Sequence, residues 1–399
     1  MKGSTRPRVL VTLFFWRPLE LEGGAALIRA LVAAAPPEVE LRLLLPRPLA
    51  GLGLPAGSVV PFAARTRLGT LVRYLRLLRR EAKRTDALVL LENNPAFHLL
   101  TSPWVPRLER AAVCLVSPCL ESERRRLSRQ WLAHRLAKSA ATARWAGRLL
   151  GHRAARYLVS TRFQAEQLAR LGFPAERTRT IAFGSGLAAP AAAGTERPAG
   201  DGRRLIVGYL GHFSPVKGVP DLVEAVYRLL DEGVPIELRV AWSGRGAEAP
   251  AVLDRLARPP VPDAVSLAGE VDVAAFLAGL DLLVLPMRNE SFPHPPLVLV
   301  EALAVGTPVV ASDAGGLPDL LAAGPFGATF PRHEPAALAD LLRRLAADRA
   351  PLEEWRRNVA HRAARVFDNR ALWRALLAPF GTAAAGAAAG ALEPLERAR

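Results

Sequence analysis

The chain of 399 residues has little cysteine, little lysine and few aromatic side chains. Its two cysteines, Cys114 and Cys119, exclude a disulfide framework, and a structural zinc site needs about four ligands. Reduced, partly buried thiols of this kind are typical of a cytosolic protein. No apolar run reaches the roughly 18 to 20 residues that span a bilayer. We therefore expect a cytoplasmic protein, or one held peripherally at the inner face of the membrane.

The N-terminal apolar run, Val9 to Trp16, is the one segment that resembles a secretion signal. Arg17 and Pro18 end the run early, and no small-residue cleavage site follows it. This pattern favours a buried first strand over a signal peptide.

The charge is strongly basic and unevenly placed. The chain has 53 Lys and Arg against 37 Asp and Glu, a net charge of +16, yet only four of the cations are lysines. Arg65 to Arg84 holds eight cations and one acid, and Arg124 to Arg156 holds ten cations and no acid. Since the rest of the chain is close to neutral, an anionic partner is expected to meet these two segments.

Two anionic partners are possible in principle, nucleic acid and a membrane surface. Aromatic residues make up only 6% of the chain, and the sequence lacks zinc-finger spacing, an RNP-like strand and a GXXG clamp in context, so we expect no nucleic acid partner. The apolar residues of the first segment fall at helical spacing opposite its cations, and Trp131 and Trp145 lie in the second segment. The apolar face predicted for the first segment consists of Leu68, Leu71, Val72, Leu75 and Leu78. Basic amphipathic helices with tryptophan suit an anionic membrane surface, and a solvated face that covers a core is the alternative.

Short apolar runs alternate with longer amphipathic stretches through most of the chain, which predicts parallel sheets wrapped by helices. In the first half we predict a helix at Gly24–Ala34 and strands at Val9–Phe15, Val39–Leu45, Ala87–Leu91, Ala112–Val116 and Tyr157–Ser160. In the second half we predict helices at Pro220–Leu230 and Pro296–Val305 and strands at Leu205–Leu210, Ile236–Ala241, Val265–Leu267, Leu282–Leu285 and Val309–Ser312.

The alternation is interrupted once, by a stretch rich in Gly, Ala and Pro that we interpret as a hinge linker. The predicted organisation is a first α/β domain at 1–183, the linker at 184–204 and a second α/β domain at 205–350. C-terminal helices follow at 351–380, with the option of packing back on the first domain, and an Ala/Gly-rich tail fills 381–399. Parallel α/β sheets bind ligands at the carboxyl ends of their strands, so two such domains are expected to face each other across a cleft.

The strongest chemical signal is the segment VGYLGHFSPVKG, Val207 to Gly218, which precedes a predicted helix. Glycines let the backbone approach an anion, a helix N-terminus favours negative charge, and Lys217 adds a point charge. In a chain that otherwise uses Arg, the retention of Lys217 favours a diphosphate site over a plain solvated turn.

The second signal runs from Leu280 to Leu320. A strand leads into a loop with Glu290, a predicted helix carries Glu301, and the next strand is followed by Gly315 and Gly316. A carboxylate can accept from two vicinal hydroxyls, so this arrangement suits a polyol such as a ribose or hexose. Two surface glutamates without a partner are the alternative.

Together these two segments resemble the donor-binding half of the retaining GT-B glycosyltransferases, in particular glycosyltransferase family four. That family has a G-R-L-x-x-x-K-G loop and an E-x7-E segment that runs into E-A-x-A-x-G-x-P-V-V. Here the first motif reads GHFSPVKG, starting at Gly211, and the second ends as EALAVGTPVV, starting at Glu301. The match covers most of 205–320, whereas the first half is similar only in architecture, at the glycines before Gly24–Ala34 and at Ser160–Gly172.

The resemblance implies a GT-B fold, an α/β architecture of two Rossmann-like domains facing across a cleft, with the acceptor on the first domain and the donor on the second. It implies a nucleotide-sugar donor as co-substrate, a glycan or glycolipid acceptor, and no cofactor or metal. Lys217 would neutralise the donor diphosphate, Glu301 would grip the ribose and Glu290 would contact the transferred sugar, which makes Glu290 and Lys217 the expected catalytic residues. Gly211, His212, Gly315 and Gly316 complete the expected donor site. The candidates for acceptor or sugar contacts are Gly24, Glu92, Asn93, Asn94 and His98.

Two departures from the family pattern support an alternative function. His212 stands where the family usually has Arg, and ten residues rather than seven separate Glu290 from Glu301. The alternative is a non-catalytic GT-B protein that binds a glycan or nucleotide as the partner of another transferase.

Overall fold

The computed structural model describes residues 6–14, 24–92, 95–106, 111–115, 140–182, 184, 204–242, 249–289 and 296–378. These residues divide into two compact α/β units. The first unit holds the described residues up to 184 and those from Asp368 onward, and the second holds the described residues from 204 to Phe367.

The first unit is built on a parallel sheet. Its strands are β1 (Arg8–Leu13), β2 (Glu40–Leu45), β3 (Val59–Pro61), β4 (Ala87–Glu92), β5 (Ala111–Leu115), β6 (Arg156–Val159) and β7 (Thr178–Thr180). Its helices before the second unit are α1 (Gly24–Ala33), α2 (Arg67–Ala82), α3 (Pro95–Thr101), α4 (Ala140–Leu150) and α5 (Arg162–Arg170). The strand order is β3-β2-β1-β4-β5-β6-β7, and every neighbouring pair is parallel.

Both faces of this sheet are covered, which is why its strands read as nearly continuous apolar runs. Val9 and Val11 of β1 point into a core shared with α1, whereas Leu10 points into a core shared with α2, α4 and α5. This alternation is the period of two that a strand imposes on its side chains.

The second unit has its own parallel sheet of six strands. They are β8 (Leu205–Gly211), β9 (Ile236–Trp242), β10 (Val265–Ala268), β11 (Leu282–Leu285), β12 (Val309–Ser312) and β13 (Gly327–Phe330). The helices are α6 (Val219–Asp231), α7 (Ala249–Leu256), α8 (Val273–Ala278), α9 (Leu297–Ala304), α10 (Leu317–Ala322), α11 (Pro335–Ala347) and α12 (Ala350–Val366). The strand order is β10-β9-β8-β11-β12-β13. This is the order of a dinucleotide-binding fold, and its switch point lies between β8 and β11, where ligands bind at the carboxyl ends.

A last helix, α13 (Asn369–Leu377), belongs to the first unit. Its Trp373 side chain is 1% exposed, lies in the core shared with α1, and donates from Nε1 to the Leu31 carbonyl at 2.8 Å. The Asn369 amide also pairs with the backbone of Gly184 through bonds of 2.8 and 3.3 Å. The chain therefore returns to its first unit after completing the second.

Most predicted strands coincide with the observed ones to within a residue or two, and Leu282–Leu285 and Val309–Ser312 coincide at both ends. The short strands β3, β7 and β13 were not predicted, because none of them contains more than two consecutive apolar residues. The helical stretch expected at 351–380 is two helices, since Asp368 caps a new helix by accepting from Arg370 N at 2.8 Å.

The apolar residues expected along one face of α2 divide between the core and the surface. Leu75 and Leu78 are buried, but Leu68 is 72% and Val72 37% exposed. Glu81, the single acid of this segment, is itself buried, and Arg42 and Arg80 pair with its carboxylate.

Candidate functional site

The loop that follows β8 carries the cation expected to bind an anion. The chain leaves β8 at Gly211, makes a single 3₁₀ turn over Pro215–Lys217, and enters α6 through Gly218. No side chain caps the N-terminus of α6. The partial positive charge at this N-terminus and the Lys217 ammonium therefore occur at the same end of the sheet, beside the switch point.

Gly218 is required by both its conformation and its surroundings. Its φ of 65° lies in the left-handed region, and a Cβ on this residue would sit 1.8 Å from the Pro286 carbonyl oxygen. Pro286 directly follows β11. The backbone after β8 therefore packs closely, at Gly218, against the backbone after β11. The Arg288 N–H donates to the Val216 carbonyl at 2.9 Å and closes this contact.

Burial lowers the pKa of the Lys217 ammonium. Desolvation disfavours a charged amine, and no carboxylate within the described ranges forms an ion pair that would offset it. An anion bound beside Lys217 would supply the missing countercharge. The side chain is thus suited to a ligand with negative charge, and it is poorly satisfied without one.

Glu301 lies on α9, whose other residues are apolar and include the buried Leu299, Ala302 and Leu303. The helix begins after Pro296 and ends before Gly306, which has a φ of 88°. Burial raises the pKa of the Glu301 carboxyl. No hydrogen-bond or ion-pair partner of this carboxylate lies in the part of the chain that the structure describes, so its acceptor sites remain for a ligand.

Two further polar atoms close to this loop lack partners among the described residues. They are the Ser214 hydroxyl oxygen, one turn before Lys217, and the Asn289 amide oxygen, four residues after β11. A buried polar atom without a hydrogen bond is expensive, at about 1–3 kcal/mol. Unpartnered polar atoms beside a partly buried ammonium such as that of Lys217 are typical of a binding site.

The segment after β12 is fixed by hydrogen bonds to its neighbours. Ser312 donates to the Met287 carbonyl at 2.6 Å, and Asp313 accepts from the Arg332 N–H at 2.9 Å. Gly315, with a φ of 54°, and Gly316 follow and lead into α10. The segments after β8, β11 and β12 are therefore connected at one edge of the sheet, and Lys217, Arg288 and Gly315 lie in these three segments.

Comparison with known proteins identifies this unit. Residues 204–348 match the family described as glycosyl transferases group 1. The second unit is similar to the group 1 glycosyltransferases, and we call it the group 1 domain. Among curated proteins, the chain is 36% identical over 171 residues to the D-inositol 3-phosphate glycosyltransferase of Streptomyces bingchenggensis. This alignment covers 40% of this chain and 37% of that protein. It is 34% identical over 151 residues to the enzyme of the same name from Corynebacterium kroppenstedtii, covering 36% and 33%. The chain thus aligns with about a third of the length of these relatives.

Solved structures extend the likeness from the group 1 domain to nearly the whole chain. HepE from Anabaena, in complex with UDP-glucose, superposes with a TM-score of 0.67 at 19% identity, over 93% of this chain and 98% of that chain. WaaG, a glycosyltransferase involved in lipopolysaccharide biosynthesis, superposes with a TM-score of 0.62 at 18% identity, over 94% and 100%. At these identities the likeness shows the fold, and the fold is GT-B, with two Rossmann-like units, as the sequence predicted.

The residues expected to bind the donor are distributed over the group 1 domain as follows. Lys217 and Glu301 are both partly buried, with the pKa shifts given above, whereas His212 is exposed and accepts at its carbonyl from the Tyr209 hydroxyl at 2.8 Å. Gly211 is the last residue of β8, and Gly315 and Gly316 lie in the segment after β12. Glu290 lies outside the described residues, so its contact with the sugar stays a prediction.

The candidates for acceptor contacts lie in the first unit. Gly24 begins α1 and Glu92 ends β4, whereas Asn93 and Asn94 lie outside the described residues. His98 was expected to face a cleft, but its side chain is fully buried and its ring meets Tyr157 edge-on at 5.9 Å. This burial, which sequence polarity could not reveal, argues against direct contact between His98 and an acceptor.

Arg288 and Asp221 were not singled out by the sequence, although they connect β11 to α6 at the centre of this edge. Sixty-seven residues separate them, and only the fold reveals the pair. Within the described ranges, no cluster of three or more His, Cys, Asp and Glu side chains is arranged to hold a metal ion. None of the described helices is long and apolar enough to cross a membrane.

Proposed function

We propose that the protein is a glycosyltransferase that moves a sugar from a nucleotide-sugar donor to a glycan or glycolipid acceptor. The observation that carries the proposal is the pairing of a desolvated lysine with an uncapped helix N-terminus at the switch point of a group 1 domain. The donor is assigned to the second unit and the acceptor to the first.

In this proposal Lys217 acts on the donor diphosphate. Its ammonium and the N-terminus of α6 would neutralise the two phosphates on binding, and would stabilise the charge that grows on the departing nucleotide as the sugar leaves. Burial lowers the pKa of Lys217 in the free protein. Binding of the anion would stabilise the charged ammonium over the neutral amine. Glu290 is assigned to the transferred sugar on the family resemblance.

Glu301 is assigned to the nucleotide ribose. A carboxylate can accept one hydrogen bond at each oxygen, which matches two vicinal hydroxyls. Hydrogen bonds to a charged group contribute about 1.5–3 kcal/mol each. Two such bonds from the ribose would offset the free-energy cost of desolvating the carboxylate, the same desolvation that raises the pKa of Glu301.

The test is a thermal-shift screen followed by turnover assays with UDP-, GDP- and ADP-sugars, starting with UDP-glucose because HepE binds it. A ligand that binds the native state raises the unfolding temperature by mass action. We expect one nucleotide series to stabilise the protein and its sugar to be hydrolysed or transferred. If no nucleotide binds, the assignment is wrong.

A non-catalytic binding role is the second candidate, and His212, which is exposed in place of the usual arginine, favours it. The same assays separate the two functions. Binding of a nucleotide without turnover of any nucleotide sugar, with a His212→Arg variant equally inactive, would support a binding partner of another transferase.

We further propose that the transfer is independent of metal and retains the anomeric configuration, both on the family resemblance. Lys217 and main-chain N–H groups would take the place of a metal at the diphosphate. Activity should therefore survive EDTA, and the anomeric proton coupling of the product should match that of the donor. Loss of activity in EDTA that magnesium restores would contradict the first statement, and an inverted coupling the second.

We also propose that the first unit docks on an anionic membrane surface. Four exposed apolar side chains, Leu68 and Val72 of α2 with Trp145 and Leu149 of α4, are 72%, 37%, 61% and 55% exposed. Both helices pack on one core of the sheet, and their exposed residues include many arginines. We call these four side chains and the surrounding cations the α2/α4 surface. Each cation near an anionic membrane contributes about 1 kcal/mol.

Vesicle sedimentation tests this surface with a matched control. Leu68→Ser with Trp145→Ser should reduce binding to vesicles of phosphatidylglycerol and phosphatidylcholine, and Leu267→Ser should not, because Leu267 is 46% exposed but lies on β10 of the second unit. Raised salt should weaken binding as well. Equal sedimentation of both variants would refute the assignment.

A further inference from the structure

The Arg288–Asp221 ion pair lies next to the proposed diphosphate site and has no role in the function described so far. Arg288 donates from Nε to Asp221 Oδ2 at 2.9 Å and from Nη2 to Asp221 Oδ1 at 2.6 Å. This two-pronged geometry is the strongest form of an arginine–carboxylate contact. The Asp221 side chain is 9% exposed and that of Arg288 27% exposed, so solvent screens the pair only weakly.

The position of Asp221 makes this pair more than a structural contact. Asp221 is the third residue of α6, and its N–H donates to the Gly218 carbonyl at 2.9 Å. The carboxylate thus lies in the first turn of the helix whose N-terminus is proposed to receive the diphosphate, four residues after Lys217. A carboxylate at that place favours the helix, but it would repel a ligand with two phosphates.

We propose that Arg288 is a positioning residue of the donor site that acts through Asp221. By neutralising the carboxylate, Arg288 keeps the N-terminus of α6 attractive to a diphosphate while Asp221 continues to support the helix. The inference rests on the proposed function, because it presumes that a nucleoside diphosphate binds beside Lys217. The repulsion is felt by phosphates and not by the base or ribose, so the effect should scale with the charge of the ligand.

Calorimetry with UDP, GDP, ADP and the corresponding nucleosides tests this inference. Arg288→Gln leaves Asp221 charged and should weaken binding of the preferred diphosphate about tenfold or more, with the nucleoside changed by less than about twofold. Arg288→Gln combined with Asp221→Asn removes both charges and should regain most of the lost affinity. Asp221→Asn alone should bind the diphosphate at least as tightly as the wild type.

The matched control is an ion pair at the opposite end of the same helix. Arg343 pairs with Glu232 just beyond α6, at 2.6 Å, so Arg343→Gln removes an arginine–carboxylate contact far along the helix from Lys217. This variant should bind diphosphate and nucleoside as the wild type does. Should Arg288→Gln fail to fold, the double variant and Asp221→Asn still decide the matter, because both avoid an unpaired buried carboxylate.

Each alternative result overturns the inference. Equal loss for nucleoside and diphosphate would mean that Arg288 only holds the loop together. A double variant as weak as Arg288→Gln would mean that Arg288 itself contacts the phosphates, and a weaker Asp221→Asn would mean that the pair is needed for shape rather than charge balance. A wild type that binds none of the three diphosphates overturns both this inference and the proposed function, whereas a wild type that binds while the variants disagree overturns the inference alone.

Discussion

Replacement of Gly218 by alanine is the sharpest structural test of the donor loop. The new Cβ would sit 1.8 Å from the Pro286 carbonyl oxygen, so the loop and the segment after β11 must separate by more than about 1 Å. Alanine at a φ of 65° adds about 1–2 kcal/mol of backbone strain. Overpacking of this kind adds about 1–3 kcal/mol more, for a total loss of stability of about 2–5 kcal/mol.

Gly233 provides the matched control. It has a φ of 75° and lies just beyond the other end of α6, but a Cβ there would meet nothing within 4 Å. Gly233→Ala therefore carries the backbone strain without the steric overlap, and should lose only about 1–2 kcal/mol. The difference between the two variants isolates the contact with Pro286.

The assays are thermal unfolding, calorimetric titration with the nucleoside diphosphate that the wild type prefers, and turnover of the donor. Gly218→Ala should unfold at a lower temperature than Gly233→Ala, and it should lose donor turnover by about 100-fold because Lys217 moves with the loop. Gly233→Ala should bind and turn over the donor as the wild type does. Equal unfolding temperatures, or equal affinities in the two variants, would refute the close packing and its link to binding.

Three further predictions concern other residues of the two units. Glu301→Gln should weaken nucleotide binding by about 10- to 100-fold while leaving the unfolding temperature unchanged or higher, because the buried carboxylate with its raised pKa is removed; a lower unfolding temperature with intact binding would contradict the ribose role. Diphosphate affinity should fall as pH rises through the lowered pKa of Lys217, since only the ammonium attracts the anion. Calorimetric titrations in buffers of different ionisation enthalpy should detect proton uptake on binding, and this uptake should be absent in Lys217→Ala. Trp373→Ala should destabilise the first unit by about 3–5 kcal/mol in denaturant unfolding, whereas Trp145→Ala, at a site that is 61% exposed, should change stability by less than about 0.5 kcal/mol.

The alternation of apolar runs was enough to predict two parallel α/β units and most of their strands. Leu282–Leu285 is recognisable because a strand buried on both faces has no polar residue to interrupt it. The position of the break between α12 and α13 was not predicted, because the capping role of Asp368 depends on one hydrogen bond. The burial of Glu81 was not predicted either, because it depends on an ion pair with Arg42, which lies on another element.

In the proposed donor site, likewise, local motifs were predictable and long-range contacts were not. Lys217, Gly218 and Glu301 are close to glycines and prolines that have fixed places in a motif, so local sequence identified them. The contact of Gly218 with Pro286 and the pairing of Arg288 with Asp221 join segments 67 or 68 residues apart. Contacts at such separations depend on the order of strands in the sheet, and one sequence does not contain that information.

The most direct measurement of the central claim is calorimetric titration of the wild type and Lys217→Ala with UDP-, GDP- and ADP-sugars. The account predicts that one donor binds the wild type at a single site, and that Lys217→Ala weakens it by about tenfold or more without lowering the unfolding temperature, because the buried ammonium is itself unfavourable to folding. Equal affinity in the two proteins, or no binding of any nucleotide sugar to the wild type, would contradict the account.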